Sequence, residues 1–170
     1  TPLALDAMVT KKAMSLFEDN GIYSHQELEA RHEIELEKYI KKVQIESRIM
    51  AELATSQVLP AAIRYQNTLA SNVKGLKEAG LAEKSYKKQQ EILEKISTHI
   101  AKISDAVEKM TEARKACNNL ENTREKAIGY QSKVKDAFFD EIRYQVDKLE
   151  LLVDDNEWSL PKYREMLFLR

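Results

Sequence analysis

The stretch "LKEAGL", residues 76–81, decides how this chain folds. It interrupts a long helical pattern at Gly80, and glycine readily adopts the left-handed conformation that ends many helices. With Gly80 just past the helix end, Leu81 is placed to contact Leu76, the apolar pair of a Schellman ending. Because the connection is short, we expect the following helix to pack antiparallel against the preceding one.

The helix before this turn begins within "YSHQEL", residues 23–28. Ser24 as N-cap and Glu27 three residues later match a capping box. Tyr23 and Leu28 occupy the two positions of a hydrophobic staple. The pattern therefore predicts a helix start here.

Two other residues mark breaks in the helical pattern. We expect a helix from the N-terminus to end at Gly21, with Ile22 contacting Phe17 as in a second Schellman ending. Pro60 lies inside the second helix, where it removes a backbone hydrogen bond and clashes with the preceding turn. A kink near residues 56–60 is therefore predicted.

The helix after the turn, about residues 82–117, carries apolar residues at alternating spacings of 3 and 4. This spacing is typical of a heptad seam. The seam residues are Leu93, Ile96, Ile100, Ile103, Val107 and Met110. Asn122 with Glu125 suggests a capping box for a fourth helix that ends near Val153.

These elements predict an all-α fold: an antiparallel long-helix bundle with a projecting N-terminal helical hairpin and a short C-terminal helix. The helix after the turn is shorter than the one before it, so it pairs with only part of its partner. We therefore expect a three-helix bundle at 44–153 and an overhang at 1–43. An amphipathic overhang needs cover, so this segment is predicted to dock on another domain or subunit.

The C-terminal stretch "WSLPKYREMLF", residues 158–168, contains the single Trp. A proline suits the first turn of a short helix, and Ser159 or Leu160 would be its cap. Residues 154–170 are predicted to form a latch that folds onto the bundle, because so apolar a stretch favours burial. The latch residues are Trp158, Leu160, Pro161, Tyr163, Leu167 and Phe168.

Composition argues against several function classes. The chain has 27 Lys and Arg against 28 Asp and Glu, a net charge of −1, so no strong field attracts nucleic acid or an anionic membrane. No apolar run approaches the roughly 18–20 residues of a membrane span. The single Cys117 cannot form an internal disulfide, which favours a reducing, cytoplasmic location.

Candidate chemical groups are few. His25, Glu29 and His32 share one helix face, and residues 29–32 match the Glu-x-x-His unit of di-iron bundles. Such sites need a second unit from another helix, and the sequence has none, so a partly exposed helix face is the favoured interpretation. Cys117 continues the seam as a small buried residue, and His99 borders it. We expect no catalytic, cofactor or metal site.

Three stretches point to a known family: "LPAAIRYQNTLASNVKGLK" at 59–77, "FFDEIRYQVDKLELLVDD" at 138–155 and the tail at 158–168. In this order they resemble the C-terminal helical domain of type III glutamine synthetases. Residues 4–40 resemble the segment that joins the catalytic domain of that family to this one. Ser159 departs from the resemblance, because the family pattern has Pro there.

The resemblance implies a parent enzyme that joins ammonia to glutamate through a γ-glutamyl phosphate, using ATP and Mg²⁺ or Mn²⁺. Its catalytic residues lie upstream, so no catalytic role carries over to this chain. The implied partners are the upstream catalytic domain and other subunits of a ring homo-oligomer, and the implied domain role is packing, assembly or regulation. Thr1 is then expected to mark an excised domain. A free-standing helical adaptor or oligomerisation module remains the alternative.

Overall fold

The computed structural model describes residues 1–167 of the 170. Helices and turns make up this part of the chain, which contains no strand, so the predicted all-α class is confirmed. The α-helices are α1 Pro2–Leu5, α2 Lys11–Asp19, α3 His25–Leu53, α4 Leu59–Glu78, α5 Lys87–Asn118, α6 Thr123–Gly129, α7 Asp140–Leu152 and α8 Tyr163–Met166. Short 3-10 turns lie at Asp6–Val9 and Glu83–Ser85, and π-helical segments at Ala54–Val58 and Tyr130–Phe139.

The chain divides into two compact units. Unit one combines residues 1–49 with 109–139, and unit two combines residues 50–108 with the described residues from 140 onward. The predicted division into 1–43, 44–153 and 154–170 stays a prediction.

Unit one has a core of apolar side chains from α3, the end of α5 and the segments that follow it. The most deeply buried are Leu28, Leu36, Val43, Met110, Cys117, Ala127, Tyr130 and Val134. The stripe of α3 is thus covered by residues of this same chain. The apolar surface that 1–43 could offer to another domain or subunit is therefore smaller than predicted. It consists of the side chains that remain exposed there, which are Leu3, Leu16, Ile22 and Ile34.

Unit two places α4 and α5 side by side after the Gly80 turn. Gln66 Nε2 donates to Ser97 Oγ at 2.7 Å, which links the two helices as an antiparallel pair. Of the predicted seam residues in this unit, Ile96, Ile103 and Val107 are buried, whereas Leu93 and Ile100 are half-buried. Met110 is buried in unit one.

The two predicted glycine helix ends are present. Gly21 and Gly80 both have positive φ, at 62° and 75°. The amide of Leu81 donates to the carbonyl of Leu76 at 3.2 Å, and the equivalent bond after Gly21 measures 2.9 Å. Both ends are therefore Schellman motifs, as the sequence predicts.

The capping box that starts α3 is also confirmed. The Ser24 amide donates to Glu27 Oε2 at 2.8 Å, and the Glu27 amide donates to Ser24 Oγ at 3.3 Å. The single helix predicted from the N-terminus to Gly21 is wrong, because it breaks at Thr10. There the backbone turns extended and Thr10 Oγ1 accepts from the Ala13 amide at 3.3 Å, which caps α2.

The π-helical segments depart from the uniform helices predicted. Ala54–Val58 lies just before Pro60, and there the Leu59 amide donates to the Ala54 carbonyl, five residues back. The structure thus places a wider helical turn in the region where the kink was predicted. In the fourth helix, Tyr130–Phe139 is π-helical where one continuous α-helix was predicted.

No helix in the described part of the chain combines the length and the apolar character that crossing a membrane requires.

Candidate functional site

A cluster of three side chains, which we call the Asp6 node, ties the N-terminus of the chain to unit one. It consists of Asp6, His32 and Arg124. Arg124 Nε donates to both carboxylate oxygens of Asp6 at 3.0 Å, and its Nη2 donates to Oδ2 at 2.8 Å. His32 Nε2 lies 3.1 Å from Asp6 Oδ1. One carboxylate therefore connects the 3-10 turn, α3 and α6.

The electrostatics of the node favour the charged pair. The Arg124 guanidinium lowers the pKa of the Asp6 carboxyl, and the hydrogen bond to Asp6 raises the pKa of Arg124 in return. The Asp6 and His32 side chains are 26% and 13% exposed, so solvent screens the contact between these two less than a typical surface pair, whereas Arg124 is 49% exposed. The forked geometry also restricts the direction of approach.

A second cluster, the tail bracket, fixes the chain after α7. It consists of Asp155, Lys162 and Arg164. Lys162 is buried, and its Nζ donates to the Val153 carbonyl at 3.0 Å and contacts Asp155 Oδ1 at 2.5 Å. Arg164 pairs with the other oxygen of Asp155. The hydrogen bond from Lys162, followed by that from Arg164, lowers the pKa of the Asp155 carboxyl.

The tail is also held to α4 and α7. Arg64 Nε donates to Glu157 Oε2 at 2.8 Å, and its Nη2 donates to the Glu157 carbonyl at 3.1 Å. The Tyr163 amide donates to Glu150 Oε1 at 2.8 Å. Trp158 is 8% exposed, and its buried Nε1 has no hydrogen-bond partner among the described residues.

Of the predicted latch residues, Trp158 is buried and Leu160 is half-buried, but Pro161, Tyr163 and Leu167 are exposed. Phe168 lies outside the described residues. The predicted cap at Ser159 or Leu160 is wrong: α8 begins at Tyr163 with Lys162 as its N-cap. The latch itself stays a prediction. The contacts that support it are the buried Trp158 side chain and the hydrogen bonds of Lys162, Glu157 and Tyr163.

The histidines do not converge. His25 pairs with Glu18 at 3.0 Å, whereas His32 joins the Asp6 node. His99 Nδ1 lies 2.7 Å from Gln145 Oε1, as suits a boundary residue. Across residues 1–167 no three His, Cys, Asp or Glu side chains form a group suited to a metal ion. The residues present therefore do not fit the metal site that the resemblance implies for the parent enzyme.

Cys117 is buried at the end of α5, and desolvation raises the pKa of its thiol. A raised pKa keeps the thiol protonated and disfavours a nucleophilic role. Sequence reasoning missed the Asp6 node and the tail bracket. The Asp6–Arg124 pair spans 118 positions, and no local pattern announces a contact at that separation.

Comparison with known proteins shows which protein family has sequences similar to this chain. The family model described as the glutamine synthetase C-terminal domain matches residues 1–77. A glutamine synthetase of Bacteroides fragilis (strain YCH46) is 39% identical over 99% of this chain, which corresponds to 24% of that relative.

The chain belongs to the glutamine synthetase C-terminal domain family.

Two further relatives agree with this membership. The type-3 glutamine synthetase of Dictyostelium discoideum is 31% identical over 100% of the chain and 23% of its own length. A glutamine synthetase of Butyrivibrio fibrisolvens is 28% identical over 98% of the chain and 24% of its own length. The chain thus spans about a quarter of the length of the curated relatives it matches.

Proposed function

We propose that this domain is the non-catalytic C-terminal domain of a type III glutamine synthetase, a cytoplasmic enzyme that makes glutamine from glutamate, ammonia and ATP. One observation carries the proposal: the similarity runs through 99% of the chain but only 24% of the Bacteroides enzyme. The reaction then belongs to the remaining three quarters. The whole-length match to a relative named type-3 supports the finer assignment.

The chemistry of the described residues is consistent with a non-catalytic role. The strongest polar clusters are ion pairs with their hydrogen bonds made within the domain, at Asp6 and at Asp155. ATP and Mg²⁺ or Mn²⁺ would be bound by the upstream catalytic domain. No step of the reaction is assigned to a residue of this chain.

The proposed role of the domain is packing, assembly or regulation of a ring homo-oligomer. Its partners would be the upstream catalytic domain and neighbouring subunits. Exposed apolar side chains on the 1–43 segment support contact with such partners, because Leu3, Leu16 and Ile22 are each more than half exposed. In this proposal 1–43 is the joining segment, 44–153 the helical bundle and 154–170 the latch.

The proposal is tested by assaying ATP-dependent glutamine formation with the full-length protein and with the isolated chain 1–170. We expect activity in the full-length protein and none in the isolated chain. An inactive but folded full-length protein would contradict the assignment and leave the helical adaptor as the better account. Activity in residues 1–170 alone would contradict the non-catalytic role.

A further inference from the structure

The N-terminal segment, residues 1–22, packs through partial rather than full apolar burial, since Leu5, Met8, Val9, Met14 and Phe17 are half-buried. Among its side chains only that of Pro2 is buried, and α2 contains no buried residue. By contrast, α3 buries Leu28, Leu36 and Val43 to 2% exposure or less. Because half-buried apolar side chains constrain position less than a fully buried core does, a polar contact of fixed geometry can contribute to the position of this segment.

The Asp6 node is the best candidate among the polar contacts of the segment. Within the described residues, another ion pair that leaves the segment joins Glu18 to His25, and both of those side chains are more than half exposed. Exposed pairs contribute little. Asp6 instead receives three hydrogen bonds from Arg124 at 2.8–3.0 Å and faces the mostly buried His32.

The geometry of the node restricts the orientation of the Asp6 carboxylate as well as its distance from Arg124 and His32. Arg124 lies in the first turn of α6, whose start is set by Asn122 Oδ1 accepting from the Glu125 amide at 2.9 Å. His32 lies on the long helix α3. A forked guanidinium pair restricts rotation of the carboxylate, and the imidazole approaches the same carboxylate from a different element.

We propose that the Asp6 node is a rigid joint. It fixes the N-terminal segment against α3 and α6, and thereby sets the direction in which the polypeptide preceding this domain enters it. This inference rests on the proposed function in one respect, because it assumes that a catalytic domain precedes this one. Loss of the node releases the segment while the helices of unit one stay folded.

The test is hydrogen exchange of the backbone amides in residues 3–19 of the full-length protein, for wild type, Arg124→Gln and Arg124→Lys. R124Q removes the three hydrogen bonds that Arg124 donates to Asp6, so exchange in the segment should become several-fold to about tenfold faster. R124K keeps the charge but loses the fork, so its exchange rate should fall between the two. Exchange in α3 and α5 should not change.

Trypsin supplies an independent readout, because Lys11 and Lys12 are exposed in the segment. We expect R124Q to raise the rate of cleavage there. The matched control is Arg143→Gln, which removes an exposed arginine 3.8 Å from Asp147 on α7 and should alter neither readout.

Unchanged exchange and cleavage in R124Q would overturn the joint, and so would equal loosening of the segment and of α3. An inactive wild-type full-length protein would instead count against the proposed ligase. The two failures are therefore distinguishable.

Discussion

At the scale of single residues, Gly129 shows how closely the last turn of α5 packs on α6. A Cβ added at Gly129 would lie 3.1 Å from Cys117 Sγ, tighter than ordinary contact. Gly129→Ala should gain about 1 kcal/mol of helix propensity yet lose most of it to this overlap. In a Cys117→Ala background the overlap disappears, so the same substitution should stabilise.

Urea unfolding of the four proteins in this double-mutant cycle measures the coupling. We expect a favourable coupling energy of about 1 kcal/mol between the two substitutions. Additive effects would mean that the sulfur moves aside freely.

Asp155 predicts a pH dependence. Its pKa is lowered below the ordinary value of 3.8, so the folded state binds its proton less tightly than the unfolded state does. The stabilisation by the tail bracket is therefore complete above about pH 4 and is lost as the pH falls through the lowered pKa. In Asp155→Asn, the free energy of unfolding should therefore fall less steeply than in wild type as the pH is lowered through this range, which is the acid limb of the stability curve.

The measurement is urea unfolding from pH 6 down to pH 2.5 for wild type, D155N and the control Asp147→Asn. Asp147 is an exposed carboxylate 3.8 Å from Arg143, so its removal should leave the acid limb close to wild type. Identical limbs for D155N and wild type would contradict the bracket.

At the scale of elements, the two glycines near the end of α4 make a matched pair. Gly75 is helical and Gly80 has a φ of 75°, and an added Cβ meets nothing within 4 Å at either position. The effect of alanine is thus set by backbone conformation alone. Gly75→Ala should stabilise by about 1 kcal/mol, and Gly80→Ala should destabilise by about 1 kcal/mol or more. Chemical denaturation measures both, and equal signs would contradict the Schellman ending.

The tail is the other element that carries a prediction. Burial of one Trp removes about 150–250 Å² from water, worth about 4–6 kcal/mol before the cost of ordering. Truncation after Asn156 removes Trp158 together with the Lys162 bonds, so we expect the Tm to fall by several degrees. A melt identical to that of the intact chain would mean that the tail contributes nothing to the fold.

At the scale of the whole molecule, the sequence predicts contacts between residues that are close along the chain and misses most contacts between residues that are far apart along it. The capping box at Ser24 and the turns at Gly21 and Gly80 depend on residues within about six positions, and all three are present. The break at Thr10 is equally local, yet the helical composition around it concealed the cap.

Long-range contacts account for most of what was missed. Asp6 meets Arg124, and Arg64 meets Glu157, across 118 and 93 positions. No periodicity encodes such pairs. The tail shows the same limit, since its apolar composition predicts burial but cannot say that Trp158 is buried while Tyr163 stays exposed.

In the proposed function, this domain serves the assembly or regulation of a glutamine synthetase without taking part in its chemistry. The most direct measurement is the native mass and the ligase rate of the full-length protein, compared with a variant that lacks residues 24–170. We expect a smaller particle or an altered rate for the variant, with some ligase activity retained. An unchanged mass together with an unchanged rate would contradict it.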